Sequence, residues 1–248
     1  MGVNRKNIYY QTKKESQDLA LKADIHKAWE EHPTYGQINL ATHLGVNHKR
    51  IGRVMRKFGL KPPRRKVKKF SCTQSTPHHQ YQNLIKDWKP ERVNQLWCSD
   101  TTYLKYQSSF WYLVTVIDIY TREVIGFAVG KKHNSRLVLT AIKQALVKTG
   151  VPPQIFHTDQ GMEFMAQGVI SLLESNGIQV SVSDKSSPWQ NGYQESFFGK
   201  LKFALGDLNR FEDPSHLLVA IYHEIDYYNN RRIHRSLKMP PAVFARLV

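Results

Sequence analysis

The chain has 248 residues, 41% of them hydrophobic, with 36 Lys and Arg against 20 Asp and Glu and a formal net charge of +16. That length accommodates a mid-sized domain and a smaller one, the apolar fraction suffices for a packed core, and the charge points to a polyanionic partner. Cys72 and Cys98 are too few and too ill-spaced for a disulfide framework or a Cys-rich zinc module. No opening segment resembles a signal and no apolar run is long enough to span a membrane, so the expectation is a cytoplasmic, nucleoid-associated protein.

The positive charge is concentrated at the amino-terminal end, where residues 1–70 carry 17 Lys and Arg against 5 Asp and Glu. Residues 21–31 place Leu21, Ile25, Ala28 and Trp29 on one helical face, and a shorter helix, 37–44, carries Ile38, Ala41 and Leu44. Gly45 then turns the chain and Asn47 offers an N-cap. A third helix, 48–58, turns Ile51, Val54, Met55 and Phe58 inward and His48, Lys49, Arg50, Arg53, Arg56 and Lys57 outward. Apolar on one side and cationic on the other, it suits the major groove as the second helix of a helix-turn-helix; the alternative is a small helical bundle with a solvated basic surface. The division expected is a helix-turn-helix domain over 1–62 and a basic linker over 63–90. The run from Lys61 through Pro62, Pro63, Arg64 and Arg65 to Lys69 would track phosphates without reading sequence.

From residue 91 the pattern changes to strands. Residues 95–104, 110–118 and 123–129 are apolar and rich in aromatic and β-branched residues, and they predict a three-stranded antiparallel meander with Asp100 in its first strand. A helix follows over 134–149, then Pro152-Pro153, a strand over 154–157 and Asp159 just beyond its end. A further strand is expected at 178–183, and a helix from about Asn191 carries Glu195 ahead of an apolar stripe of Phe197, Phe198, Leu201 and Leu205. Lys202, two turns on, shares the Glu195 face. Each carboxylate alone reads equally as a turn, cap or solvated surface charge. Asp100 is different in that both its flanks are apolar, where an unpaired charge is costly. Asp159 stands where open α/β sheets hold ligands, beyond a strand's carboxyl end. Hard oxygen ligands of this kind bind Mg²⁺ while leaving positions for water and phosphate. The core is expected over 91–212, with a helical extension over 213–248 that includes the amphipathic stretch 214–228.

This order of elements, with the words HTDQGMEF, NGYQESFFGKLK and YYNNRRIHRSLKMPPAVF, resembles the integrase core of the DDE transposases and retroviral integrases, and within it the catalytic proteins of bacterial insertion sequences. The resemblance implies an α/β fold: a ribonuclease-H-like mixed sheet flanked by helices, preceded by a small all-α helix-turn-helix domain. It implies Asp100, Asp159 and Glu195 as catalytic metal ligands, with two Mg²⁺ or Mn²⁺ ions per site, for hydrolysis of a phosphodiester at the ends of a mobile element and strand transfer to a target. Residues assigned to DNA are Lys49, Arg50, Arg53, Arg56, Lys57, Arg64, Arg65, Lys200, Lys202, Arg231 and Arg232. The partners implied are double-stranded DNA, further copies of the chain assembled on it, and a protein from an upstream reading frame. A catalytically inactive, transposase-derived DNA-binding regulator is the alternative, and the presence of all three carboxylates argues against it.

Overall fold

A computed structural model describes residues 13–63, 81–86, 88–183 and 192–248. The chain divides into two compact units, one comprising the amino-terminal region together with residues 233–238, the other comprising the rest.

The first unit holds α1 (Lys13–Glu31), α2 (Gln37–Leu44) and α3 (His48–Lys57). The core is a small cluster of Leu21, Ile25, Ala28, Tyr35, Leu40, Ile51 and Val54. Helix α1 starts well before the predicted Leu21, because the stripe 18, 21, 25, 28 opens with a polar residue. Asp18 is 1% exposed and takes Arg53 Nη1 and Nη2 at 2.7 and 2.5 Å, with Lys57 Nζ at 3.2 Å. The Arg53 guanidinium holds the Asp18 carboxyl far below the ordinary carboxylate range. Gly45 closes α2 in the left-handed region, and the Asn47 side chain accepts from Lys49 N at 2.8 Å, the cap the sequence indicates. Ile233 N donates to Tyr35 Oη at 2.7 Å, and Asn39 Nδ2 donates to Ile233 O at 3.2 Å. Residues 233–238, expected within the extension of the core, therefore group with the first unit.

The second unit is built on a five-stranded sheet of order β3-β2-β1-β4-β5. Strands β1 (Leu96–Tyr106), β2 (Ser109–Asp118) and β3 (Val124–Gly130) form the predicted antiparallel meander, while β4 (Ile155–Thr158) and β5 (Gln179–Val182) add in parallel. The parallel pair requires crossovers, supplied by α4 (Ser135–Thr149) and α5 (Gln167–Ser175). Those helices cover one face, packing Val138, Ala141, Ile142, Val169 and Leu173 on Trp97, Val114, Val116 and Phe156. The opposite face carries α6 (Gly192–Leu205) and α7 (Pro214–Asn230), whose Phe197, Leu201, Leu217, Ile221 and Ile225 pack on Cys98, Leu104, Leu113 and Ile117. A short helix, α8 (Pro241–Ala245), follows. Gly126 permits the close seat of α4: a Cβ there would stand 2.2 Å from Ala141 O. The result is the α/β, ribonuclease-H-like three-layer arrangement expected.

One tether lies outside the expected boundaries. Val182 N donates to Gln82 O at 3.2 Å and Leu84 N to Ser181 Oγ at 2.9 Å. Ile85 and Trp88 pack on the core. Residues 81–88, read as linker, are thus bound to the second unit. At the other edge, the Asn229 side chain pairs with both backbone groups of Val124, accepting from N at 2.9 Å and donating to O at 2.8 Å.

Candidate active site

Asp100 stands on β1 opposite Thr115 of β2. It shares its side of the pleat with Cys98 and Leu104, which pack toward α6 and α7. Its Oδ1 accepts from Thr101 N at 2.7 Å. Asp159 follows the fully buried β4, and its Oδ1 accepts from Gly161 N at 3.0 Å. Burial pushes the Asp100 carboxyl well above the ordinary range, and the charge of Asp159 adds to this, as do those of Glu195 and Glu163. Asp159 is also pushed up, first by burial and then by Glu163. Charges from the end of β4 and the start of α6 thus reach the Asp100 carboxyl on β1.

Burial and neighbouring negative charge raise the cost of ionising Asp100 and Asp159, a cost that a hard divalent cation relieves. The donor set therefore fits Mg²⁺ or Mn²⁺, although among the described residues no three His, Cys, Asp or Glu side chains as they lie enclose an ion.

Comparison with known proteins places the chain. Residues 90–188 and 176–241 match family models described as "Integrase core domain", and residues 16–68 match an "HTH-like domain". A transposase-like protein of Haemophilus influenzae is 33% identical over 79% of this chain and 90% of its own length. The transposase for insertion sequence element IS904 of Lactococcus lactis is 30% identical over 95% of both chains. The chain belongs to the insertion-sequence transposases. Among solved structures, the HTLV-2 integrase catalytic core domain, determined in complex with magnesium, superposes with a TM-score of 0.52 at 21% identity, over 63% of this chain and 99% of that one. That likeness establishes the shared fold.

In this transposase the first turn of α6, which carries Glu195, is pinned on both sides. Gln194 has no solvent exposure; its Nε2 donates to Cys98 O at 2.6 Å and to Thr115 O at 3.3 Å, and its Oε1 accepts from Thr115 Oγ1 at 2.8 Å. One residue earlier, Tyr193 lies under the Arg122 guanidinium at 3.8 Å. Gln194 therefore sits on the Asp100–Thr115 pair and fixes where its neighbour Glu195 starts. Sequence reasoning passed over it. The signal was available, because 194, 197, 201 and 205 continue one helical stripe with a polar residue in first place.

Glu163 was also missed, although it lies in the same word as Asp159. Its carboxylate is 11% exposed, meets His133 Nε2 at 2.6 Å and accepts from Thr101 Oγ1 at 3.4 Å. A Cβ on Gly161 would stand 2.9 Å from both Asp159 Oδ1 and Glu163 Oε2, so a side chain there would make these carboxylates shift from where they lie. His157, two residues before Asp159, is a core group bonded to Ser181 and Ser183.

The residues assigned to DNA divide. Lys49, Arg50 and Arg56 are exposed on α3. Arg53 corrects the expectation of an outward-facing row: its guanidinium is committed to Asp18, and Lys57 leans on the same carboxylate. Arg64 and Arg65 lie outside the described residues. Lys200 is half-buried, and burial, then the Arg232 charge, bring its ammonium down to about 8. Lys202 Nζ lies 4.7 Å from the Tyr103 ring centroid, Arg231 is exposed and Arg232 is half-buried. No helix among the described residues is long and apolar enough to cross a membrane.

Proposed function

We propose that Asp100, Asp159 and Glu195 hold a pair of Mg²⁺ or Mn²⁺ ions, through which this transposase cleaves DNA at the ends of its element and joins the freed 3′ end to a target. The observation that carries this reading is the convergence on Asp100 of charges from Asp159 and Glu195, contributed by separate elements. When bound, such ions stabilise the attacking and leaving oxygens of an in-line displacement. The protein's own contribution is to hold the carboxylates. Asp100 is fixed by its strand, Asp159 by the Gly161 amide, and Glu195 by the anchoring of its helical turn through Gln194.

Sequence choice falls to the first unit, with Lys49, Arg50 and Arg56 of α3 reaching into the major groove. Lys202 supplies a phosphate contact near the carboxylates and Arg231 a further one, and copies of the chain assemble on the DNA so that two ends are held together. The test is substitution at constant volume. Asp159→Asn, Asp100→Asn and Glu195→Gln should each abolish Mg²⁺- or Mn²⁺-dependent nicking and joining while leaving duplex binding in Ca²⁺ near wild type. A variant that still cleaves at the wild-type rate removes that residue from the site.

A further inference from the structure

The β1–β2 hairpin carries a ladder of rings that the carboxylate chemistry does not use. Register places Thr101 opposite Val114, Tyr103 opposite Tyr112, and Lys105 opposite Phe110. Alternation turns these three pairs to one side of the sheet. Burial falls along the ladder from Val114 in the core, through half-buried Tyr103 and Tyr112, to exposed Lys105 and Phe110, the last 42% exposed. Tyr103 and Phe110 meet edge to face at 5.7 Å, and Tyr112 lies parallel to the exposed His133 ring at 4.9 Å. The ladder lies on the other side of the pleat from Asp100 and reaches the carboxylate cluster only through Glu163, which meets His133, takes the Thr101 hydroxyl and repels Asp159.

The surroundings are cationic. Lys105, Lys131 and Lys132 are exposed, and Lys202 lies over Tyr103. No Asp or Glu occurs in 101–117 or in 130–134. A lone exposed Phe needs no explanation, but paired rings within a rim that is basic apart from the mostly buried Glu163 have a specific complement. Paired duplex hides the flat faces of its bases and offers phosphates and groove edges, whereas an unpaired strand offers base faces and phosphates together. Stacking on rings beside a cationic track is how proteins hold such strands.

We propose that this ladder stacks unpaired bases of the DNA strand delivered to Asp100 and Asp159, with Phe110 as its outer step. The proposal rests on the carboxylate reading above for the direction of the strand, but its test does not depend on turnover. Binding of the full-length protein is measured by fluorescence anisotropy in Ca²⁺, using one duplex with a fully paired end and the same duplex carrying a few unpaired 3′ nucleotides, one of them 2-aminopurine. Phe110→Ala should weaken the unpaired probe by roughly 5- to 150-fold, the range for losing one stacked base. It should leave the paired probe within about twofold and abolish the quenching of 2-aminopurine seen with wild type, while Phe110→Trp should restore both. Equal losses on the two probes, or no loss on either, overturn the proposal. Asp159→Asn measured alongside should keep the preference for the unpaired probe, so the ladder and the carboxylate assignment can fail separately.

Discussion

Asp18, Gln194 and Asn229 share a placement that explains more of this protein than any apolar residue. Each continues a helical stripe that is otherwise apolar: 18 leads 21, 25 and 28, 194 leads 197, 201 and 205, and 229 ends 217, 221 and 225. Each is buried and satisfied by partners far away in sequence, as a buried polar group must be. At Gln194 the consequence, under the proposed carboxylate site, is that the turn carrying Glu195 is held in place. Gln194→Met keeps the volume but strands the buried Thr115 hydroxyl, costing about 1–3 kcal/mol. Activity should fall roughly 10–100-fold, the usual toll for losing a partner that orients a metal ligand. The fall should appear in kcat and in the Mn²⁺ concentration needed, with affinity for end DNA in Ca²⁺ unchanged. A loss confined to DNA affinity would refute the positioning role. The three carboxylates stand out in the sequence because their words are distinctive, whereas Gln194 does not, since stripe reading looks for apolar residues and discards the polar one that breaks the row.

At the scale of elements, α3 illustrates how far a helical wheel can mislead. The wheel separates cations from apolar residues correctly, but it cannot show that Arg53 is consumed by a carboxylate on α1. Two substitutions should therefore behave differently. Replacing exposed Arg50 and Arg56 with Ala should reduce affinity for end DNA and, where they meet phosphates, reduce the salt slope by roughly 0.9 per contact. Arg53→Ala should instead lower the melting temperature of the first unit, because it leaves Asp18 buried with only Lys57 for company. The sign with pH follows from the depressed Asp18 carboxyl. The pair stabilises fully above about pH 4, the ordinary carboxylate range, and its contribution fades as pH falls below that. Arg53→Ala should thus flatten the acid limb of a stability–pH curve, and a parallel shift of the whole curve would contradict the assignment. The meander, by contrast, was readable strand by strand, since its apolar runs are bounded by short turns and every register pair is local.

For the whole molecule, what the sequence concealed was where each unit begins and ends. Boundaries drawn from composition put 81–90 in a linker, yet Gln82 and Leu84 bond to β5 and Trp88 packs into the core. A fragment spanning 81–248 should therefore melt at a higher temperature than one spanning 91–248. Both should nick DNA weakly without preferring the element's ends, since both lack α3. Equal melting temperatures would show that the 81–88 segment adds nothing to the fold. Such contacts join residues about a hundred positions apart, and no local pattern announces them.

The grouping of residues 233–238 with the first unit also bears on the order in which the protein is made. Domains ordinarily fold as they emerge, the amino-terminal one first. Here Tyr35 receives the Ile233 amide, so the unit whose helices are made before the core acquires its last contacts only after the core has been made. A chain that stops within the core carries α1 to α3 without that closing segment, and the finished form of the helix-turn-helix-like unit is reserved for chains that also carry the carboxylates.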